Sequence, residues 1–204
     1  MNDKPKYNPD IHHRRSIRLK GYDYSQAGLY FITICCQDRI WRFGEIVAVE
    51  NSQAKMILND AGIIANECWL EIPEHFPNAK LHEHIVMPNH VHGIIELSGY
   101  DERAQDIEPV PPNIDSSFPK NAKVQNIEPQ HKFQKIIPGS IGSIIRGYKI
   151  GVTLGVKNIF SGEKLWQRNF YEHIIRNEKA YQTISNYIVN NPIKWNADKF
   201  YRTK

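Results

Sequence analysis

Residues Met87 to Leu97 read MPNHVHGIIEL. Pro88-Asn89 is a turn signal, and the residues after it alternate as a half-buried strand does. His90, His92, Ile94 and Glu96 share one face, and Val91, Gly93, Ile95 and Leu97 share the other. The second face is core. Leu81 to Met87, before the turn, is a further strand that the turn folds back beside the first. The decisive feature is thus a mid-chain hairpin with two histidines at the start of its returning strand.

The elements on either side set the architecture. Tyr30 to Gln37, YFITICCQ, is apolar and β-branched and predicts a buried strand. Gln53 to Leu70 predicts a helix, with Ile57, Ala61, Ile64, Ala65 and Cys68 on the three-four spacing and Pro73 closing it. After the hairpin, residues 98–138 hold six of the twelve prolines and little apolar pattern. We read 99–138 as a flexible insertion. Ile141, Ile144, Ile145 and Tyr148 then mark one helical face, and Leu165 to Ile175 predicts a fourth strand. Asn177 is placed to cap a helix from Glu178 to about Asn191, with Tyr181, Ile184 and Ile188 as its stripe and Pro192 as its stop. The order β-α-β-β-α-β-α predicts an α+β fold: a ferredoxin-like antiparallel sheet with flanking helices and an extra C-terminal helix. One domain spans 1–204, and its first part, 1–25, is a basic arm.

The chain has 204 residues, 41% hydrophobic and 24% charged, enough for one domain with a real core. It contains no apolar run of membrane-spanning length and no apolar signal segment near the start. Three cysteines, two of them adjacent, make no disulfide framework, so a cytoplasmic location is expected. The net charge of +4 is unevenly spread. Residues 1–20 carry six basic and two acidic side chains, and 139–175 carry five and two. That distribution suits a polyanion such as nucleic acid, and a merely solvated surface accounts for it equally well.

The His90/His92 pair puts two imidazoles about 7 Å apart at their Cα atoms, close enough to share a metal. Neutral imidazole suits manganese and other divalent ions, whereas magnesium prefers oxygen. With His82 and His84 the pair also allows a four-histidine structural site. Further along, Tyr187 and Asn191 lie one helical turn apart, about 6 Å along the axis. An activated tyrosine attacks phosphodiesters, but near its usual pKa only about 0.1% is ionised at neutral pH. A metal that polarises the phosphate would make so weak a nucleophile sufficient. On spacing alone, Tyr187 reads as well as a packing aromatic, and Asn190-Asn191-Pro192 as a helix stop.

Taken together, RRSIRLKGYDYSQAGLYFITICCQDR (Arg14–Arg39), HEHIVMPNHVHGIIEL (His82–Leu97), the helix from Gly139 to Lys149, LWQRNFYEHIIRNE (Leu165–Glu178) and YIVNNP (Tyr187–Pro192) resemble the single-tyrosine HUH transposases. HUH stands for His-hydrophobic-His. The resemblance is strongest to the tyrosine transposases associated with repetitive extragenic palindromes (REP). It implies the HUH endonuclease fold and a divalent metal, Mg2+ or Mn2+, held by His90, His92 and Asn191. It implies Tyr187 as the nucleophile that forms a 5′-phosphotyrosyl link on single-stranded DNA beside a hairpin. Arg14, Arg15, Arg18 and Lys20, with Arg146, Lys149 and Arg168, are the candidate DNA contacts. His173 and Glu96 are candidate supports of the site, and Tyr171, near His173, competes as nucleophile. Asn191 precedes a proline, which draws its backbone away from helical geometry.

Three other readings share these residues. One is a nuclease that trims palindromes without moving them. A second is a non-catalytic nucleic-acid-binding module on a ferredoxin-like sheet, although Tyr30 and Phe31 face opposite ways and make no stacking platform. A third is a structural zinc protein built on the four histidines. The sequence leaves monomer or homodimer open.

Overall fold

A computed structural model of the chain describes residues 22–49, 53–99, 137–160 and 162–202. In chain order its elements are β1 (Gly28–Cys35), β2 (Gly44–Val49), β3 (Gln53–Leu58), α1 (Asp60–Leu70), the single turn α2 (Ile72–His75), β4 (Ala79–Met87), β5 (His90–Leu97), α3 (Ile141–Gly155), β6 (Tyr171–Ile175) and α4 (Glu178–Val189). Pro88-Asn89 makes the expected two-residue turn, with Met87 opposite His90. The main sheet runs β4-β5-β1-β6, and every neighbouring pair is antiparallel. With α1 after the first of these strands and α3 after the third, this is the ferredoxin-like split unit.

The two faces of β5 have separate fates. Val91, Ile95 and Leu97 join Tyr30, Ile32 and Ile34 of β1 beneath α1 and α3. Ile141, Ile144, Ile145 and Tyr148 of α3 are all buried there. Gly93 lies where the Trp69 indole crosses the strand, and a Cβ would run into that ring. Burying each large apolar side chain is worth roughly 1.5–3 kcal/mol, so this face supplies most of the fold's stability. The opposite face, carrying the histidines, is covered by α4. Ile188, Ile184, Tyr181 and Tyr187 of α4 pack on Phe31, Ile94 and Ile175. Asn177 caps α4 by accepting from the Ala180 amide.

Two expected elements are different in the structure. Gln53–Leu58 is a strand, not the first turns of a helix; it pairs with β2 in a separate hairpin. The helix starts only at Asp60, because the Asn59 side chain caps it by accepting from the Gly62 amide. Ile57 fitted the helical spacing by coincidence. The strand expected over Leu165–Ile175 is ordered as a strand only from Tyr171. Trp166 makes a lone bridge to Cys36, and the Lys149 ammonium takes the Gln167 and Asn169 carbonyls at 2.9 and 3.1 Å, drawing the backbone between away from the ladder. No helix among the described residues is long and apolar enough to cross a membrane.

Candidate active site

The site lies on the α4 side of the sheet, where β5 begins. His90 and His92 project from alternate positions, with ring centroids 4.4 Å apart, and both are essentially fully buried. Each has an orienting partner. The Asn89 amide nitrogen donates to the Arg39 and Phe200 carbonyls at 3.0 and 2.9 Å. That fixes which way the amide faces. Its oxygen, 2.9 Å from His90 Nδ1, is therefore the acceptor there. With the proton on Nδ1, His90 Nε2 carries the lone pair. It is buried and has no hydrogen-bond partner. On His92, Nδ1 lies 2.9 Å from Thr33 Oγ1, itself buried in β1. In the tautomer whose Nδ1–H donates to Thr33, Nε2 points its lone pair toward α4.

Tyr187 arrives from α4. Its hydroxyl lies 3.1 Å from His92 Nε2 and donates to Asp198 Oδ2 at 2.9 Å. Its ring sits edge-on to Phe31, centroids 6.2 Å apart. Asn191 follows the end of α4 in a turn and is fully buried. The bias of the following proline is met by ending the helix at Val189 rather than by turning Asn191 away. The Asn191 amide nitrogen donates to the same Asp198 oxygen at 3.1 Å, which leaves Oδ1 as its acceptor end. That oxygen too is buried without a partner. Trp195 and Phe200 close the remaining side against the His90 ring, at 5.9 and 4.6 Å between centroids.

Burial dominates the electrostatics. It pushes the His92 pKa down to about 3 against the opposing pull of the Asp198 carboxylate. Burial, with His92, Lys199 and Arg39 nearby, holds His90 well below its ordinary value. Both imidazoles are therefore neutral, the state that a metal ligand requires. Burial first, and then the Asp198 carboxylate, raises Tyr187 above the usual tyrosine range, so the phenol keeps its proton. Among the described residues no group of three or more His, Cys, Asp and Glu side chains is placed to hold a metal. Among the described residues, a third ligand for a metal at the histidine pair would come from another residue type. The two orphaned lone-pair atoms, His90 Nε2 and Asn191 Oδ1, fit such an ion, and the hydrogen bonds behind them aim both groups.

The other sequence candidates fall in different places. Arg14, Arg15, Arg18 and Lys20 lie outside the described residues. Arg146 and Arg168 are exposed. Lys149 is turned onto two carbonyls, and burial lowers its pKa to about 8; its ammonium is occupied within the fold. His173 is exposed on β6 opposite Phe31. Glu96 is further along β5, bonded to His82 at 2.9 Å and paired with Lys80 at 3.3 Å. Tyr171 is 41% exposed on β6, across Thr33 from His92.

The four histidines do not gather. His84 faces α1, stacked on Trp69, with its Nε2 3.0 Å from Asn66 Oδ1. The sheet face that a binding module would leave open is covered by α4. Sequence reasoning missed three residues of the site. Thr33 was visible as the polar position in an apolar strand. Asn89 was visible, but only as a turn residue. Asp198 sits in irregular chain beyond the last helix, where no periodic pattern marks it.

No protein-family model matches the chain. It is 44% identical over 196 residues to an "Uncharacterized protein" of Haemophilus influenzae, covering 96% of this chain and 97% of the relative. It is 25% identical over 173 residues to a "Putative REP-associated tyrosine transposase" of the same organism, covering 84% of this chain and 74% of the relative. Among solved structures, the REP-associated tyrosine transposase bound to a REP hairpin superposes with a TM-score of 0.51, at 19% identity over 90% of this chain and 77% of the other. The chain is thus related, at 25% identity, to a putative REP-associated tyrosine transposase, and it has the fold of the solved one.

Proposed function

We propose that the chain is a metal-dependent single-stranded DNA endonuclease and strand transferase that acts beside DNA hairpins, with Tyr187 as nucleophile. The observation that carries this reading is one constellation. The Tyr187 hydroxyl lies 3.1 Å from His92 Nε2, beside the buried, unpartnered lone pairs of His90 and Asn191. A divalent cation held by His90, His92 and Asn191 would polarise the scissile phosphate and balance the charge that develops on it.

The chain's own residues account for the rest. Phe31 and His92 hold the Tyr187 ring from two sides. The tyrosine oxygen attacks phosphorus, and the bond from phosphorus to the 3′ oxygen breaks. The DNA 5′ end stays on Tyr187 and the other fragment leaves with a 3′-hydroxyl. Asp198 Oδ2, already accepting the phenol proton's hydrogen bond, takes that proton, and the departing oxygen is protonated in turn. The phosphotyrosyl link retains the phosphodiester's energy, so a second 3′-hydroxyl can reverse the step and join strands. The REP hairpin bound by the structural neighbour suggests the substrate class, and the exposed Arg146 and Arg168 are suited to phosphate contact.

The test uses a labelled hairpin oligonucleotide with single-stranded flanks, taken from palindromes beside the gene. It is incubated with the protein and Mn2+ or Mg2+ and run on a denaturing gel. A protein–DNA band that Tyr187→Phe, His90→Ala and a chelator each abolish is the expected result. Cleavage without an adduct would point to hydrolysis instead.

A further inference from the structure

A cluster of polar side chains away from the metal-ligand pair joins α4 to the edge of the sheet. The β4–β5 register shifts between Leu81 and His84, so two residues, His82 and Glu83, occupy the space of one. Such a bulge re-aims side chains, and here both are turned to α4. Tyr181 donates its hydroxyl proton to Glu83 Oε2 at 3.1 Å. Ser185, 7% exposed, donates to the same oxygen at 2.9 Å. His82 Nδ1 lies 3.1 Å from the Tyr181 hydroxyl, and its Nε2 lies 2.9 Å from Glu96. The bonds lower the Glu83 pKa against a partial burial that would raise it, which marks a carboxylate committed to its donors.

This clasp supplies what the apolar contact under α4 lacks. Phe31, Ile94 and Ile175 offer the helix a greasy surface on which Ile184 and Ile188 rest. Apolar packing is non-directional, and a slip of one residue moves a helix about 1.5 Å along its axis and turns it about 100°. Either displacement would take the Tyr187 hydroxyl off His92. Tyr181 and Ser185 are one turn apart on the same side of α4, and both meet one carboxylate. Charge-assisted bonds of this kind are short and directional, and they permit one rotation and one register.

We propose that Glu83, with Tyr181 and Ser185, is a positioning device that fixes the register of α4 and thereby holds Tyr187 at the histidine pair; Glu83, Tyr181 and Ser185 are positioning residues, not catalytic ones. The inference rests on Tyr187 being the nucleophile, and its test has a readout that does not. Tyr181→Phe keeps the ring against His82 and removes both hydroxyl bonds. We expect its single-turnover adduct formation to fall about ten- to a hundredfold, the loss that a misplacement of about 1 Å brings, with hairpin DNA affinity unchanged. Hydrogen exchange of the α4 amides in the DNA-free variant should accelerate while exchange in β5 and α3 does not. Glu83→Gln, which keeps an acceptor, should retain more of the rate than Glu83→Ala; if Glu83→Ala fails to fold, Tyr181→Phe and Glu83→Gln still decide. Unchanged exchange in α4 overturns the positioning role whatever the activity. Accelerated exchange with an unchanged adduct rate overturns the link from clasp to nucleophile. If wild-type protein forms no adduct, the nucleophile assignment fails, and the exchange result still judges the clasp.

Discussion

Replacing Asn89 with alanine should damage both the fold and the proposed metal site, and the two losses can be worked out separately. The side chain is fully buried. It makes three hydrogen bonds, to the Arg39 and Phe200 carbonyls and to His90 Nδ1, at 3.0, 2.9 and 2.9 Å. Each is worth about 1 kcal/mol net, so the substitution costs about 3 kcal/mol, more if His90 Nδ1 stays buried without a partner. For a chain of this size that lowers Tm by about 6–12 °C. Loss of the orienting bond behind His90 should also weaken metal binding about 10- to 100-fold. Asn89→Asp separates the effects. It keeps an oxygen for His90 Nδ1 and loses both donors to the carbonyls, so it should be destabilised while metal affinity is largely kept. Thermal melts of metal-free protein and Mn2+ titration calorimetry give the two quantities. Equal Mn2+ affinity in wild type and Asn89→Ala, with the variant folded, would refute the claim that Asn89 aims the ligand.

Three further outcomes follow from the same geometry. The histidine pair makes the metal-free protein acid-sensitive. Folded His92 titrates at about 3, and His90 and His84 are also lowered by burial, against about 6.5 in the unfolded chain. Stability is therefore full above that unfolded value and is lost as pH falls from it toward the folded ones, with each histidine approaching about 1.4 kcal/mol per pH unit. Urea midpoints measured in chelator between about pH 7 and pH 5 should fall steadily, and a flat profile would contradict the neutral, buried pair. Asp198→Asn should slow adduct formation about 10²- to 10⁴-fold with DNA affinity unchanged, as loss of a proton acceptor does; a gel-quantified rate close to wild type would remove Asp198 from the chemistry. Lys149→Met should lower Tm by freeing the Gln167 and Asn169 carbonyls and leave the salt dependence of DNA binding unchanged, whereas Arg168→Ala should reduce the slope of log K against log salt by up to about 1. Fluorescence titrations at several salt concentrations compare the two.

The parts of this fold that were legible in the sequence are those whose side chains repeat. The alternation in His90–Leu97 and the three-four spacing of Ile141, Ile144, Ile145 and Tyr148 each report a face that is buried. They gave the sheet, its helices and the place of α4. The β2–β3 hairpin was hidden because the apolar residues just before Asn59 match a helical spacing, and only the Asn59 cap marks where the helix starts. At the candidate site, the residues proposed to hold metal and attack DNA stand out by type, as a histidine pair and a tyrosine do. Asn89, Thr33 and Asp198 do not, because their value lies in the atoms opposite them, which are 50, 59 and 11 residues away along the chain. Lys149 shows the converse: a basic residue in a basic region whose charge is spent on backbone carbonyls.

In the proposed reaction Tyr187 is the residue that takes up DNA. Locating the covalent bond checks this assignment. Protein trapped on a hairpin oligonucleotide in Mn2+ is treated with nuclease and trypsin, and the peptides are fragmented in a mass spectrometer. Tyr187 falls in the peptide spanning 180–194 and Tyr171 in that spanning 169–176. A nucleotide mass on Tyr187 alone, absent when metal is chelated, is the expected result. The same mass on Tyr171, or on Tyr181 within the first peptide, would contradict it.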